Sequence, residues 1–229
     1  WRIPVSASIK WRLIIINFIL VFIAMVIVGF SIVERLETQQ LITVREKMEQ
    51  DMATIVAATG ALGDGDWGQS VDEIQEVLNG WRLSGSDTLY VIINRQDPTI
   101  IASTVSTNEQ WRFASAVDYQ PIEPVLVIQG LQGQKGQEII VDDEDTRYQH
   151  MTYPVLDSEG LAKGMLYMVS NLVAVDTTLQ QAKMILTGAT IIALLVTIIL
   201  GYILASSITT PIRDVTEKAE EMAQGNFDQ

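Results

Sequence analysis

Two long uncharged apolar runs, residues 13–33 and 184–212, flank about 150 residues of mixed polar sequence. Each exceeds the roughly 20 residues that carry a helix across about 30 Å of hydrocarbon. Both are therefore expected to span a membrane, and whatever folds between them is held at a bilayer surface.

The spans account for much of the 48% hydrophobic content, so the remainder is sized for one folded domain. The absence of cysteine excludes a disulfide framework and a thiolate metal site. The first run is longer than a signal-peptide core and is followed by Glu34-Arg35-Leu36-Glu37 where small residues would mark cleavage, so an uncleaved anchor is expected. The chain starts at Trp1 and stops inside an apparent helical unit at Gln229, as a piece of a longer protein would. Arg2, Lys10 and Arg12 precede the first span without an acidic neighbour, which predicts a cytoplasmic amino terminus and an exterior middle domain. The expected segments are 1–12 cytoplasmic, 13–33 spanning, 34–183 exterior, 184–205 spanning and 206–229 cytoplasmic again. Residues 34–183 hold 23 acidic and 10 basic residues. That surface repels nucleic acid and attracts cations, although solubility alone also calls for such a charge.

Leu41, Val44, Met48, Met52 and Ile55 recur at three- and four-residue spacing, so the first span is expected to continue as an amphipathic helix to about Gly60. Glycines in 61–68 break it, and Ser70 with Glu73 predicts a capping box opening a helix over 71–79. Strand signals follow at 88–94 and 99–105 around the turn Gln96-Asp97-Pro98. A short helix at 122–131 precedes three strands at 138–141, 147–156 and 162–170, whose tight connections predict an antiparallel meander. The expected class is α+β, an antiparallel sheet with a long N-terminal helix, and this element order resembles the extracellular PAS-like or Cache sensor domains.

Along the second span, Ala189, Ala193, Thr197, Gly201 and Ala205 recur every fourth residue and predict a ridge of small side chains that packs against the first span or a symmetry mate. Beyond it, Pro211 is placed to open a helix in which Ile212, Val215, Ala219 and Met222 form an apolar seam. Gly225 ends that helix and Phe227 comes next as an apolar anchor. Proline, seam and Gly-Asn-Phe together resemble the start of the HAMP linker of bacterial transmembrane receptors.

Ser8-Ile9-Lys10-Trp11-Arg12-Leu13, the pair Ala24-Met25 and Val33-Glu34-Arg35-Leu36-Glu37 extend the resemblance to WalK-type sensor histidine kinases of Gram-positive bacteria. The resemblance implies a plasma-membrane homodimer, an exterior ligand or protein as stimulus, and a response regulator reached through kinase domains beyond residue 229. It also implies no catalytic residue and no cofactor within these 229 residues. A chemoreceptor, another HAMP-linked output enzyme such as a cyclase, and a cell-envelope scaffold are the competing readings.

His150, the one histidine, lies in His150-Met151-Thr152-Tyr153-Pro154 on an exterior strand and not in the His-Glu-x-x-Thr-Pro helix of a phosphoacceptor. An ordinary strand position or a pH-sensing role is left for it. Asp64 with Asp66, and Asp142 through Asp145, lack the spacing of a calcium loop. Trp81-Arg82 and Trp111-Arg112 are candidates to line a ligand pocket, against the plainer reading of tryptophans packed in a core.

Overall fold

A computed structural model describes residues 5–58, 67–81, 83, 87–105 and 109–223, with side chains from 11 to 207 save residue 13. The chain divides into two compact units, Trp1–Glu37 with Thr178–Gln229, and Thr38–Thr177.

The first unit contains the apolar parts of two helices, α1 (Val5–Ala58) and the C-terminal helix (Val173–Ala223). Both are long and apolar enough to cross a membrane. Large side chains such as Leu20, Phe30, Ile192 and Leu200 remain exposed on them, as they would when lipid covers them. The C-terminal helix runs unbroken through Pro211, which therefore does not open a new helix as its sequence context suggests. Proline removes the donor that would reach back four residues and crowds the carbonyl there, and the hydrogen bonds on either side keep the helix continuous.

In the second unit, α1 is followed by α2 (Val71–Gly80), β1 (Asp87–Ile93), β2 (Thr99–Ser103), a 3₁₀ turn (Glu109–Trp111) and α3 (Pro124–Leu131). Strands β3 (Gln137–Val141), β4 (Arg147–Leu156) and β5 (Ala162–Asn171) then lead into α4, the C-terminal helix. The five strands form one antiparallel sheet in the order β2-β1-β5-β4-β3. The expected hairpin and meander are thus joined edge to edge by pairing of β1 with β5.

The two hairpins of the meander are closed by the same chemistry. Asp142 Oδ1 accepts the amides of Glu144 and Thr146 at 2.9 and 2.8 Å, and Asp145 takes a positive φ of 61°. Asp157 Oδ1 does likewise for Glu159 and Leu161, both at 2.9 Å, with Gly160 at a φ of 80°. Aspartate at the first turn position supplies this local acceptor, which makes these residues turn formers. The capping box of α2 does not form. Ser70 sits before the helix with ψ of 22° and makes no side-chain cap bond, while its carbonyl accepts the Ile74 amide at 3.0 Å. An extended cap residue would point its hydroxyl at the free amides; this backbone does not.

Strand alternation sends side chains to two covered faces. On one, Leu89, Val91, Met151, Leu166 and Met168 meet Met48, Met52 and Ile55 of α1 and Ile74 and Leu78 of α2. Each such side chain, fully buried, contributes about 1.5–3 kcal/mol. On the other face, Tyr90, Ile92, Met165 and Tyr167 meet Leu126 and Val127 of α3 and Trp111 and Ile122 of the preceding segment.

Candidate functional site

Strand β4 carries polar groups toward both sides of the sheet. Arg147 and Gln149 share the face of Met151, and Tyr148 and His150 take the other, because neighbours in a strand point oppositely. Gln149 is wholly buried and fully used: its oxygen accepts Nε of Arg45 on α1 at 3.0 Å, and its amide donates to the carbonyls of Glu138 and His150. Arg147 Nε donates to Asp176 Oδ1 at 3.0 Å in the first turn of α4, with a second contact from Nη2 to the same oxygen. Lys47 of α1 pairs with Asp87 of β1 at 3.6 Å, and Lys135 pairs with Glu49 of α1 while lying 4.7 Å from the centre of the Tyr153 ring. Polar contacts therefore tie the outer part of α1 and the first turn of α4 to one sheet, and β4 supplies a partner for each. Sequence reasoning alone does not single out these residues. Their signal is an arginine and a glutamine at alternate positions of a strand whose other residues on that face are apolar.

Three of the four aromatic and arginine candidates come together. Trp81, Trp111 and Arg112 line a cavity of about 550 Å³ with Gln75, Asn79 and Thr104, while Arg82 lies outside the described residues. Trp111 is buried and its Nε1 donates to the Val105 carbonyl at 3.2 Å, so it serves the core as well as the cavity wall. Arg112 donates to Asp72 Oδ1 at 2.7 Å, an exposed pair that adds little stability. Gln75 makes two bonds to the Ser103 backbone, at 3.0 and 2.8 Å, and so covers part of the free edge of β2.

The small-residue ridge is brought together only at one end. Gly201 and Ala205 are buried, and a Cβ on Gly201 would lie 3.5 Å from Ile14 Cγ1 in the first span. Ala193 and Thr197 are half-buried, and Ala189 is exposed. The reason is helical drift: with 3.6 residues per turn, a strict four-residue spacing advances about 40° per step and about 160° over four steps. Ala189 thus points away from the side of the helix that bears Ala205. Toward that end the helix instead offers Leu186, Thr190 and Leu194 to an apolar hollow of about 480 Å³ shared with Phe22 and Gly29.

Pro211, Ile212, Val215, Ala219 and Met222 lie on α4, and Gly225 and Phe227 are outside the described residues. Asp64 and Asp66 also lie outside them.

His150 is 2% exposed, and its Nδ1 lies 2.8 Å from the Tyr167 hydroxyl. Burial pushes the imidazole down to about 4 and pushes the Tyr167 and Tyr90 phenols up.

Residues 203–229 match the HAMP domain family, beginning slightly ahead of the expected boundary at 206. The sensor protein kinases WalK of Staphylococcus aureus strains JH9, Newman and USA300 are each 25% identical to the chain over 227 residues. The aligned stretch covers 97% of this chain and 36% of those proteins, so the chain spans about a third of the length of the curated relatives it matches. The chain is thus similar to WalK-type sensor kinases along nearly its whole length, and its HAMP match begins near the end of the second apolar helix.

Proposed function

We propose that the chain is the sensing and signal-transmitting portion of a plasma-membrane sensor histidine kinase that works as a homodimer. The middle domain faces the exterior, both termini are cytoplasmic, and the output is a kinase that phosphorylates a response regulator. The domain itself is read as PAS-like or Cache-like on its order of helices and strands.

The observation that carries this reading is the attachment of both long helices to one sheet. Arg45 of α1 is held by Gln149, and Asp176 of α4 by Arg147, two residues apart on β4. A stimulus that shifts β4 acts on both attachments at once, and α4 continues unbroken into the HAMP sequence. Spanning helices with two alternative packings need little bias: a tenfold preference of a ligand for one corresponds to about 1.4 kcal/mol. Gly201 lies against Ile14 of the first span and Ala205 is buried, while the exposed Ala189 is available to a second copy.

Because the chain has no native cysteine, single cysteines along 185–205 report cleanly on helix packing. Disulfide formation between copies should follow one face of α4 and change when the kinase output changes. Crosslinking that is indifferent to every stimulus altering phosphorylation would remove this reading.

A further inference from the structure

A second cavity, of about 600 Å³, opens beside β4 on the face opposite the helix attachments. Its wall includes Gln120, Ile140, Asp142, Asp143, Tyr148 and His150. Among side-chain polar atoms of the described residues, none that is fully enclosed lacks a hydrogen-bond partner. His150 has one partner, Tyr167, and uses Nδ1 for it. Its other nitrogen, Nε2, is therefore the ring atom left open, and the cavity is the space it opens into. The proton assignment follows from Tyr167. That hydroxyl accepts the Glu123 amide at 2.9 Å, which leaves its own proton for Nδ1. A neutral imidazole then carries its hydrogen on Nε2 as a donor into the cavity.

At another part of the wall stand two carboxylates. Asp142 spends Oδ1 on the turn amides, and its neighbour Asp143 makes no hydrogen bond among the described residues. Along the paired strands Ile140 and Tyr148 stand in the row between His150 and Asp142, and the Tyr148 phenol sits against the Asp142 carboxylate. One buried donor, a wall of Ile140 and the Tyr148 ring, and a negative rim suit a ligand with an acceptor at one end and a cation at the other.

We propose that this cavity binds a small organic ammonium compound bearing a carbonyl or hydroxyl oxygen, its cation at Asp143 and Asp142 and its oxygen at Nε2 of His150. Tyr148 and His150 alternate on β4 with Arg147 and Gln149, so an occupant presses on the strand that holds both helices. The inference takes its meaning from the sensor reading, but its test reads binding alone.

The single histidine permits that test without assignment. The full chain, labelled with ¹⁵N-histidine in lipid nanodiscs, is titrated with alanyl-alanine amide up to about 10 mM, enough to detect a dissociation constant in the millimolar range. The expected result is a saturable shift of the Nε2 resonance. Affinity should fall about tenfold for the N-acetylated, uncharged counterpart and about tenfold in Asp143→Asn, a change at an exposed turn position that leaves the fold intact. An unmoved resonance, or equal affinity for charged and acetylated forms, overturns the proposal. Neither outcome touches the crosslinking test of signalling.

Discussion

Nε of Arg45 donates to the side-chain oxygen of Gln149 at 3.0 Å, joining a helix that begins among membrane-spanning residues to the interior of a sheet. A buried amide with every polar atom used is costly to disturb. Gln149→Ala should lower stability by about 1–3 kcal/mol, since it removes the partner of Arg45 and the acceptor-donor pair within the sheet. Arg147→Ala should cost under about 1 kcal/mol, because its partner Asp176 is more exposed. Chemical denaturation of both variants separates the two attachments. A larger loss for Arg147→Ala would reverse their assigned ranks.

Gly164 allows Trp67 to pack closely on β5. A Cβ there would come within 2.7 Å of two ring carbons and 2.9 Å of the Ile92 carbonyl. Gly164→Ala is expected to destabilise by about 1–3 kcal/mol in the native chain and by less in a Trp67→Leu background. An equal loss from Gly164→Ala in both backgrounds, measured by thermal unfolding against Trp67→Leu alone, would show that the ring is not what the glycine accommodates.

His150 sets a pH dependence. Burial lowers its folded-state value from 6.5 to about 4, so between these limits the unfolded chain binds a proton that the folded chain refuses. The stability contribution is complete above pH 6.5 and is lost as pH falls toward about 4, by roughly 3 kcal/mol. Tyr167 contacts the ring, Glu138 lies opposite it on β3, and Tyr148, Asp142 and Asp143 line the same cavity, so other groups also bear on the pH profile. The measurement is therefore the difference between unfolding curves of the native chain and His150→Gln. The gap between them should change with pH from 6.5 to 4; a constant gap contradicts the burial account.

Gly201→Leu and Ala189→Leu should behave differently although both enlarge the same sequence ridge. The first meets Ile14 and should disturb packing of the spans, whereas the second projects into open space within the chain. Cysteine pairs joining the two spans near residues 14 and 201 should lose crosslinking yield several-fold with Gly201→Leu and keep it with Ala189→Leu. Equal effects would mean that helical drift does not decide which residues touch.

The fold is legible in the sequence wherever one physical period dominates. Uncharged runs of spanning length can do little else in water or lipid, and alternating strands with Asp-led turns specify neighbouring hairpins. The two spans, the α+β class of the domain and strands β3 to β5 can thus be read from residue order alone. The capping box at Ser70 and the start of a helix at Pro211 cannot, because each depends on backbone angles imposed by neighbouring turns of helix.

What the chain alone determined was local: which stretches are apolar, how they repeat, and where they turn. Only the tertiary structure decided that β1 lies beside β5, that Gln149 and Arg147 reach Arg45 and Asp176, and that His150 lines a cavity. These pairings join residues far apart in sequence, and their free energy comes from excluding water between surfaces that no single segment possesses.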